Sequence, residues 1–297
     1  MEVKFSNKEP WRKKRNINNS LFLSSKTVKS NIEFFFFNIN SKLAELINKL
    51  KKIDGFFSFI YENNNYIFAA VDHVRSFPIF YDQNTVSNSS DFFNDCSFDQ
   101  KSVKEIYALG YVTGKKTLKR NVSQLLCGEY LFYDKKKKKL TIDTYFQYLP
   151  RKKKKISSIK LDKVINVIID KLIEYAEGSK ICIPLSGGLD SRLILCKLVE
   201  KKYDNIFTFT YGNSNNEEML IAKKITKKLN IPWSFFESKN HQMKKSFMSS
   251  ERKRYWEFSY NLSAIPSMTE YLAIKKLKSK FNNIKLLLVN GQTGDFI

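Results

Sequence analysis

Apolar and polar positions in the first half of the chain follow the short, alternating pattern that favours β-strands. Predicted strands lie at residues 57–61, 66–71, 78–81, 129–133 and 140–142. The asparagines 63–65 separate the first two strands, and the lysines 135–139 separate the last two. Polar turns of this kind predict two β-hairpins, the second with its charged tip in water. Apolar residues at helical spacing predict helices over 41–52 and 104–111.

From residue 161 onward, strand and helix patterns alternate. Predicted strands lie at residues 181–185, 206–210, 233–236 and 284–289. Amphipathic helices are predicted around them, at residues 161–175, 191–201, 217–229 and 268–279. Such alternation is typical of a parallel sheet with helices on both faces, and right-handed crossovers make the sheet doubly wound. We therefore predict an α/β chain whose second part is a doubly wound parallel-sheet domain.

A charged, proline-containing stretch separates these two patterns. Pro150 is followed by an arginine and four lysines at 151–155 and by two serines, a composition typical of a linker. We place the domain boundary there, which gives an α+β sheet domain at residues 1–150 and the α/β domain at residues 151–297.

The composition argues against several classes of protein, namely nucleic-acid-binding, membrane, secreted and zinc-binding proteins. The net charge of +23 would suit a nucleic-acid partner, but lysine far outnumbers arginine, which phosphate-recognition sites favour, so we expect no specific nucleic acid. The longest apolar runs, 34–37 and 286–289, are too short to cross a bilayer. No secretory signal follows the charged N-terminus, and the cysteines and histidines lack zinc-site spacing. We predict a cytoplasmic protein without a membrane partner.

The sharpest local feature is the turn Ser-Gly-Gly-Leu-Asp-Ser at residues 186–191, between a predicted strand and a predicted helix. Two glycines permit a tight turn with outward-facing N–H groups, and the helix adds its unpaired N–H groups and the positive end of its dipole. Ser186 and Ser191 add hydroxyl donors, so the turn is suited to binding phosphate. The carboxylate of Asp190 suits a Mg²⁺ ion that bridges phosphate oxygens.

A second glycine-containing loop, Asn-Gly-Gln-Thr-Gly-Asp at residues 290–295, follows the last predicted strand. In a parallel sheet this loop lies at the same carboxyl edge as the first turn. Asp295 would then supply a second carboxylate for the same Mg²⁺, and the glycines would let the backbone approach a nucleotide closely.

The turn at 186–191 resembles the PP-loop of ATP pyrophosphatases; the Walker and dinucleotide-binding loops have different glycine spacings. With both loops in order, the chain resembles the asparagine synthetase family of the class II, glutamine-dependent type. The segments that carry this resemblance are residues 54–59, 71–81, 107–112, 128–130, 183–191, 208–222 and 290–295. Those in the first half resemble a class II glutamine amidotransferase domain of the Ntn type, and those in the second half resemble an ATP pyrophosphatase domain (adenine nucleotide alpha hydrolase-like).

This resemblance implies an ATP-dependent, amide-forming ligase. A substrate carboxylate, aspartate by default, would attack the α-phosphate of ATP and release pyrophosphate, and ammonia would convert the acyl-adenylate to an amide and AMP. The residues implied in nucleotide binding are Leu185, Ser186, Gly187, Gly188, Ser191, Tyr211, Asn290 and Gly291. Of these, Leu185 and Tyr211 would contact the adenosine. Asp190 and Asp295 would hold Mg²⁺, and together with Gln292 they would form the catalytic set.

Three departures from the family pattern change the expected activity. The family's glutaminase uses a cysteine at position 2 with the freed α-amino group as base, whereas this chain has Glu2; we therefore predict no glutamine hydrolysis. Gln292 replaces the acidic residue of the last loop and cannot transfer a proton. The chain stops at Ile297, so we expect it to be incomplete, without the family's C-terminal helical region.

The expected partners are small molecules: ATP, a carboxylate acceptor and ammonia. The ammonia would be free, or would come from glutamine through a separate glutaminase or a homodimer partner. Two alternatives stay open. One is a ligase for another acceptor, such as a sugar or polysaccharide precursor, which Gln292 favours. The other is a non-catalytic relative that serves as a subunit or scaffold.

Overall fold

The computed structural model describes residues 1–7, 10–15, 19–26, 42–93, 97–149, 157–214 and 216–291. The chain divides into two compact units, of which the first comprises Met1–Lys153 and Glu257–Pro266 and the second Lys154–Trp256 and Ser267–Ile297. The sequence features at 34–37, 151–155 and 292–297 lie outside the described residues. The assignment of residues 1–150 and 151–297 to an amidotransferase-like and an ATP pyrophosphatase domain stays a proposal.

The described part of the first unit is a two-sheet α+β structure. Its strands are β1 (Glu2–Lys4), β2 (Arg12–Arg15), β3 (Asn19–Lys26), β4 (Phe56–Asn63), β5 (Tyr66–Val71), β6 (Phe80–Tyr81), β7 (Thr85–Ser87), β8 (Ser123–Gln124), β9 (Glu129–Asp134) and β10 (Lys139–Thr144). Its helices are α1 (Leu43–Leu50), α2 (Gln100–Leu109) and a 3₁₀ turn at Ser90–Phe93. The large sheet is antiparallel with the order β10-β9-β5-β4-β3-β2, and the small sheet has the order β1-β7-β6-β8. The two predicted hairpins are confirmed as β4–β5 and β9–β10.

Strand β4 lies at the centre of the large sheet and is buried on both faces. On one face, Phe59 packs in a cluster with Leu46 and Leu50 of α1. On the other face, Ile60 packs in a cluster with Val86 of the small sheet. Because successive side chains of a strand point to opposite faces, a strand covered on both sides is apolar at nearly every position, which explains the aromatic run in this part of the sequence.

The turn after β5 is held by one buried carboxylate. Asp72 is 1 % exposed. Its Oδ2 accepts the Phe57 N–H at 2.8 Å, and its Oδ1 accepts the N–H groups of Val74 at 2.8 Å and Ser76 at 3.2 Å. The turn contains Arg75 in the left-handed region at φ 56°, which is strained for a residue with a side chain. The bonds to Asp72 therefore stabilise a backbone that would otherwise be unfavourable.

Replacement of Asp72 by asparagine is expected to destabilise the first unit by about 2–3 kcal/mol, because the amide NH₂ would face an N–H donor and leave it buried without an acceptor. Amide hydrogen exchange should show accelerated exchange at Phe57, Val74 and Ser76. The control is Asp134→Asn, since Asp134 accepts an exposed turn N–H from Lys137. Unchanged exchange at all three amides in Asp72→Asn would contradict the proposed role of the carboxylate.

The second unit is an α/β structure with one described sheet. Its strands are β11 (Lys180–Pro184), β12 (Ile206–Gly212), β13 (Trp233–Glu237) and β14 (Leu286–Leu288). Its helices are α3 (Ser158–Ala176), α4 (Leu189–Glu200), α5 (Glu217–Leu229), α6 (Asn240–Phe247), α7 (Ser250–Ser259) and α8 (Tyr271–Lys280). All strand pairs are parallel, in the order β13-β12-β11-β14. Helix α5 begins at the predicted residue because the Asn216 side chain accepts the Met219 N–H at 2.7 Å and caps it.

Helices cover both faces of this sheet. Ile183 of β11 packs in a cluster with Leu195 of α4 and with residues of α3 and α5. Cys182, the neighbouring residue on the same strand, packs in a second cluster with Phe209 and Leu277, the latter from α8. The predicted doubly wound parallel sheet is confirmed. The strand order reverses at β11, which has the next strand in sequence on one side and the last strand on the other; ligands bind at such reversal points in open α/β sheets.

The chain leaves the second unit within α7 and contributes Glu257–Pro266 to the first unit. This segment is bonded through the backbone: the Val112 N–H donates to Ser263 O at 2.8 Å, the Leu118 N–H to Leu262 O at 2.7 Å, and the Ile265 N–H to Gly110 O at 2.7 Å. Leu262 is 1 % exposed. The first unit is therefore built from two separate stretches of the sequence.

Within the described ranges, no helix is both long enough and apolar enough to cross a membrane.

Candidate nucleotide-binding site

The turn at residues 186–191 emerges from the sheet core into solvent. Leu185, directly after β11, is 1 % exposed; its N–H donates to Phe209 O at 2.8 Å, and its carbonyl accepts the Thr210 hydroxyl at 2.7 Å. Gly188 and Asp190 are exposed. The turn is thus anchored at its strand end and open at its centre. The Leu185 side chain lies in the core and its N–H and carbonyl are bonded within the unit, so contact of Leu185 with an adenosine stays a prediction.

The backbone of the turn is fixed by two short-range bonds. The Gly188 N–H donates to Ser186 Oγ at 3.2 Å, and Gly187 O accepts a bond from Arg192 Nη2 at 2.9 Å. A Cβ on Gly187 would lie 3.3 Å from Ile221 Cδ1, so a side chain at this position would press against α5. Any side chain at residue 187 therefore requires Ile221 to shift by a few tenths of an ångström.

Helix α4 begins directly at the turn, with Asp190 and Ser191 in its first turn. Ser191 is 5 % exposed, and its Oγ has no hydrogen-bond partner among the described residues. Buried hydroxyl groups are normally paired, so this hydroxyl at a helix N-terminus is a donor suited to an anion.

The start of the second predicted loop lies against this helix terminus. Strand β14 pairs in parallel with β11, and the Val289 N–H donates to Cys182 O at 3.0 Å. A Cβ placed on Gly291 would lie 2.7 Å from the Ser191 backbone N and 2.8 Å from Asp190 Cβ. The structure therefore brings Gly291 to Asp190 and Ser191, as the parallel sheet predicts. Gln292 and Asp295 lie outside the described residues.

Tyr211 lies near the end of β12, at the same carboxyl edge. Its hydroxyl donates to Glu270 Oε1 at 3.2 Å. Partial burial and then the neighbouring Glu270 carboxylate raise the pKa of Tyr211 to about 12. The hydroxyl is protonated at neutral pH, and its bond to Glu270 holds that carboxylate in place.

Two residues beside the site were not predicted from the sequence. Arg192 follows the turn by one helical position, yet charged residues in a first helical turn are common and gave no distinct signal. Glu270 precedes α8 and is distant in sequence from both loops, so only the fold brings it to Tyr211.

A metal ion at this site would depend on few protein ligands. No group of three or more His, Cys, Asp or Glu side chains that could hold a metal occurs in the part of the chain that the structure describes. The exposed Asp190 carboxylate and the Ser191 hydroxyl are oxygen donors, which Mg²⁺ prefers, and Mg²⁺ commonly combines one or two carboxylates with substrate phosphates. The donor set fits Mg²⁺ bound together with a nucleotide.

A protein-family model matches the part of the chain that contains the turn at residues 186–191. Residues 180–266 match the family model described as QueC, queuosine biosynthesis protein. The matched segment is of the PP-loop ATP pyrophosphatase-like type. It makes up less than a third of the chain and does not single out the asparagine synthetase family. No curated protein matches the sequence.

Several solved structures are similar over part of their length. The NH3-dependent NAD synthetase from Campylobacter jejuni is 14% identical over 46% of this chain and 58% of its own, with a TM-score of 0.35. The glutamine-dependent NAD+ synthetase from Acinetobacter baumannii is 16% identical over 56% of this chain and 30% of its own, with a TM-score of 0.30. The glutamine phosphoribosylpyrophosphate amidotransferase from B. subtilis is 11% identical over 82% of this chain and 52% of its own, with a TM-score of 0.27.

The chain covers less than two thirds of each of these structures. Similarities of this size do not identify an activity.

Proposed function

We propose that the chain is an ATP-dependent, amide-forming ligase of the asparagine synthetase type, with aspartate as the default acceptor. The observation that carries this proposal is the contact of Gly291 with Asp190 and Ser191. It joins the start of the last loop to the phosphate-binding turn at the reversal point of the sheet, where a nucleotide is expected. The match of residues 180–266 to a PP-loop family supports ATP as the nucleotide.

Each part of the turn has a distinct task in this proposal. Gly187 and Gly188, the hydroxyls of Ser186 and Ser191 and the α4 dipole would cradle the β- and γ-phosphates. Asp190 and Asp295 would hold Mg²⁺, which would offset the charge that develops on the leaving pyrophosphate. Asn290 and Gly291 cover the nucleotide, and Tyr211 lies beside the adenosine.

The reaction would proceed in two steps. An acceptor carboxylate oxygen attacks the α-phosphate, the bond to the β-phosphate breaks, and pyrophosphate leaves with that electron pair. Ammonia then attacks the acyl carbon, loses a proton to solvent, and displaces AMP to form the amide. Positioned N–H donors lower the barrier of the first step because negative charge moves onto oxygens that they already face.

The first unit would contribute no glutaminase activity. Position 2 is Glu2, which lies in β1, and a carboxylate cannot replace the thiol nucleophile. Ammonia would therefore be free or supplied by another glutaminase. We propose a cytoplasmic location and no nucleic-acid or membrane partner.

A different acceptor is the second candidate. Gln292 stands where the resembled family has an acidic residue, and a neutral amide can orient an acceptor but not accept its proton. A sugar or polysaccharide precursor is the alternative class of acceptor. If the chain binds no ATP, it is better explained as a non-catalytic relative.

Incubation with ATP, Mg²⁺, aspartate and ammonium is expected to yield AMP and pyrophosphate in equal amounts, and glutamine in place of ammonium is expected to yield no amide. AMP measured by chromatography and pyrophosphate measured by a coupled assay provide two independent readouts. Release of AMP with a sugar acid but not with aspartate would favour the second candidate. The ligase proposal is wrong if the chain releases no AMP with any carboxylate.

A further inference from the structure

Arg192 lies beside the phosphate-binding turn but has no part in the proposed function. It belongs to the first turn and a half of α4, and its Nη2 donates to Gly187 O at 2.9 Å. Its Nε is enclosed, and it has no hydrogen-bond partner in the described part of the chain. An arginine rarely leaves an enclosed N–H unpaired, so this side chain is held near the turn at some energetic cost.

The bond from Arg192 determines which way one peptide group faces. In a planar trans peptide, the carbonyl and the N–H point in opposite directions. Because the Gly187 carbonyl is turned toward the guanidinium, the Gly188 N–H must point the other way, where Ser186 Oγ accepts it at 3.2 Å. A hydroxyl that accepts in this way keeps its own proton to donate.

The orientation of the Gly187–Gly188 peptide determines which polar groups face an anion bound at the turn. With the carbonyl held by Arg192, the Gly188 N–H stays bonded to Ser186 Oγ, and the Ser186 hydroxyl keeps its proton to donate to a phosphate. If the peptide rotated, the Gly187 oxygen would face the same position and repel the anion. The two adjacent glycines have the backbone freedom for such a rotation, so the sequence itself does not prevent it.

We propose that Arg192 is a positioning residue for the phosphate-binding turn, which holds the Gly187–Gly188 peptide in the orientation that accepts pyrophosphate and the β- and γ-phosphates of ATP. This inference rests on the proposed function. The role requires a long side chain with a directed N–H donor, and the guanidinium also places a permanent positive charge beside the anion.

The test measures ligand binding by the full chain with three probes: inorganic pyrophosphate, ATP and adenosine. Arg192→Met keeps the length of the side chain but removes its donors and charge, and it is expected to weaken pyrophosphate and ATP binding about tenfold while adenosine binding is unchanged. Arg192→Lys keeps a charge and a donor and is expected to restore part of the affinity. In the AMP-release assay, Arg192→Met should raise the KM for ATP and lower kcat.

Arg252→Met is the matched control, because Arg252 in α7 likewise donates to a backbone carbonyl, from Nε to Phe247 O at 2.7 Å. It is expected to bind all three probes as the wild type does. Thermal unfolding midpoints are measured for all variants to detect loss of folding. If Arg192→Met does not fold, the binding of the three probes is compared between the wild type and Arg192→Lys.

The outcomes separate the two proposals. Wild-type protein that binds neither ATP nor pyrophosphate overturns the proposed function, and the role of Arg192 with it. Wild-type protein that binds both, with Arg192→Met binding pyrophosphate equally well, overturns only the role of Arg192. An equal loss of adenosine and pyrophosphate affinity in Arg192→Met also overturns it, because a positioning effect on the turn concerns the phosphates alone.

Discussion

Replacement of Asp190 by asparagine is expected to lower ATP-dependent AMP release at least a hundredfold (about 2.7 kcal/mol in the barrier). Asp190 is exposed in the first turn of α4, next to Ser191, whose hydroxyl has no hydrogen-bond partner among the described residues. The neutral amide keeps one oxygen but loses the charge that attracts Mg²⁺, so the Mg²⁺ concentration required for half-maximal activity should rise. Stability should change by less than about 1 kcal/mol, the usual effect of one charge at a helix N-terminus.

Asp170→Asn is the control for the loss of one carboxylate from the second unit. Asp170 in α3 pairs with Lys201 at 2.8 Å, and its side chain is 58% exposed, so the pair should contribute little to stability. Activity and Mg²⁺ dependence should match the wild type. If Asp190→Asn also retained both, the proposed role of Asp190 as a metal ligand would be wrong.

Replacement of Gly291 by alanine is expected to lower ATP turnover by about tenfold to a hundredfold, the range that a displacement of about 1 Å produces in an active site. The added Cβ would lie 2.7 Å from the Ser191 N and 2.8 Å from Asp190 Cβ. Both atoms are anchored in α4, so the loop that contains Gly291 must move away. ATP affinity, measured by calorimetry, should fall together with turnover, whereas thermal unfolding should change little.

The control for this substitution is Gly178→Ala in the same unit. Gly178 has φ +75°, but an added Cβ there would meet no atom within 4 Å. This variant should lose about 1 kcal/mol of stability from backbone strain and retain full ATP turnover. Normal ATP affinity in Gly291→Ala would show that the last loop does not cover the nucleotide.

The second unit was the more predictable part of the fold. Alternating strand and helix patterns identified its parallel sheet, since a strand such as β12 between two amphipathic helices leaves a clear signal in the sequence. Helix α7 was missed because none of its residues is buried, so it has no apolar face to produce a periodicity. The last strand was predicted over 284–289 and is shorter, at Leu286–Leu288.

The glycine turn of the site was predicted, but its internal bonds were not. Strand–turn–helix order and glycine spacing predicted the turn at residues 186–191, and its binding of phosphate stays a prediction. The bond from Arg192 to Gly187 and the pairing of Tyr211 with Glu270 depend on side-chain positions that no local pattern encodes. The roles of Gln292 and Asp295 stay predictions.

The segment Glu257–Pro266 bears on how this protein can be divided. Its bonds to the first unit run through backbone atoms, so they leave no trace in the hydrophobic pattern that suggested a boundary near Pro150. A protease that cut the chain between residues 151 and 155 would therefore produce a nicked protein whose C-terminal piece still contains Glu257–Pro266 of the first unit. An N-terminal fragment that ended at the same point would lack Glu257–Pro266, which belong to its fold. The two halves of the sequence therefore cannot be exchanged independently of each other.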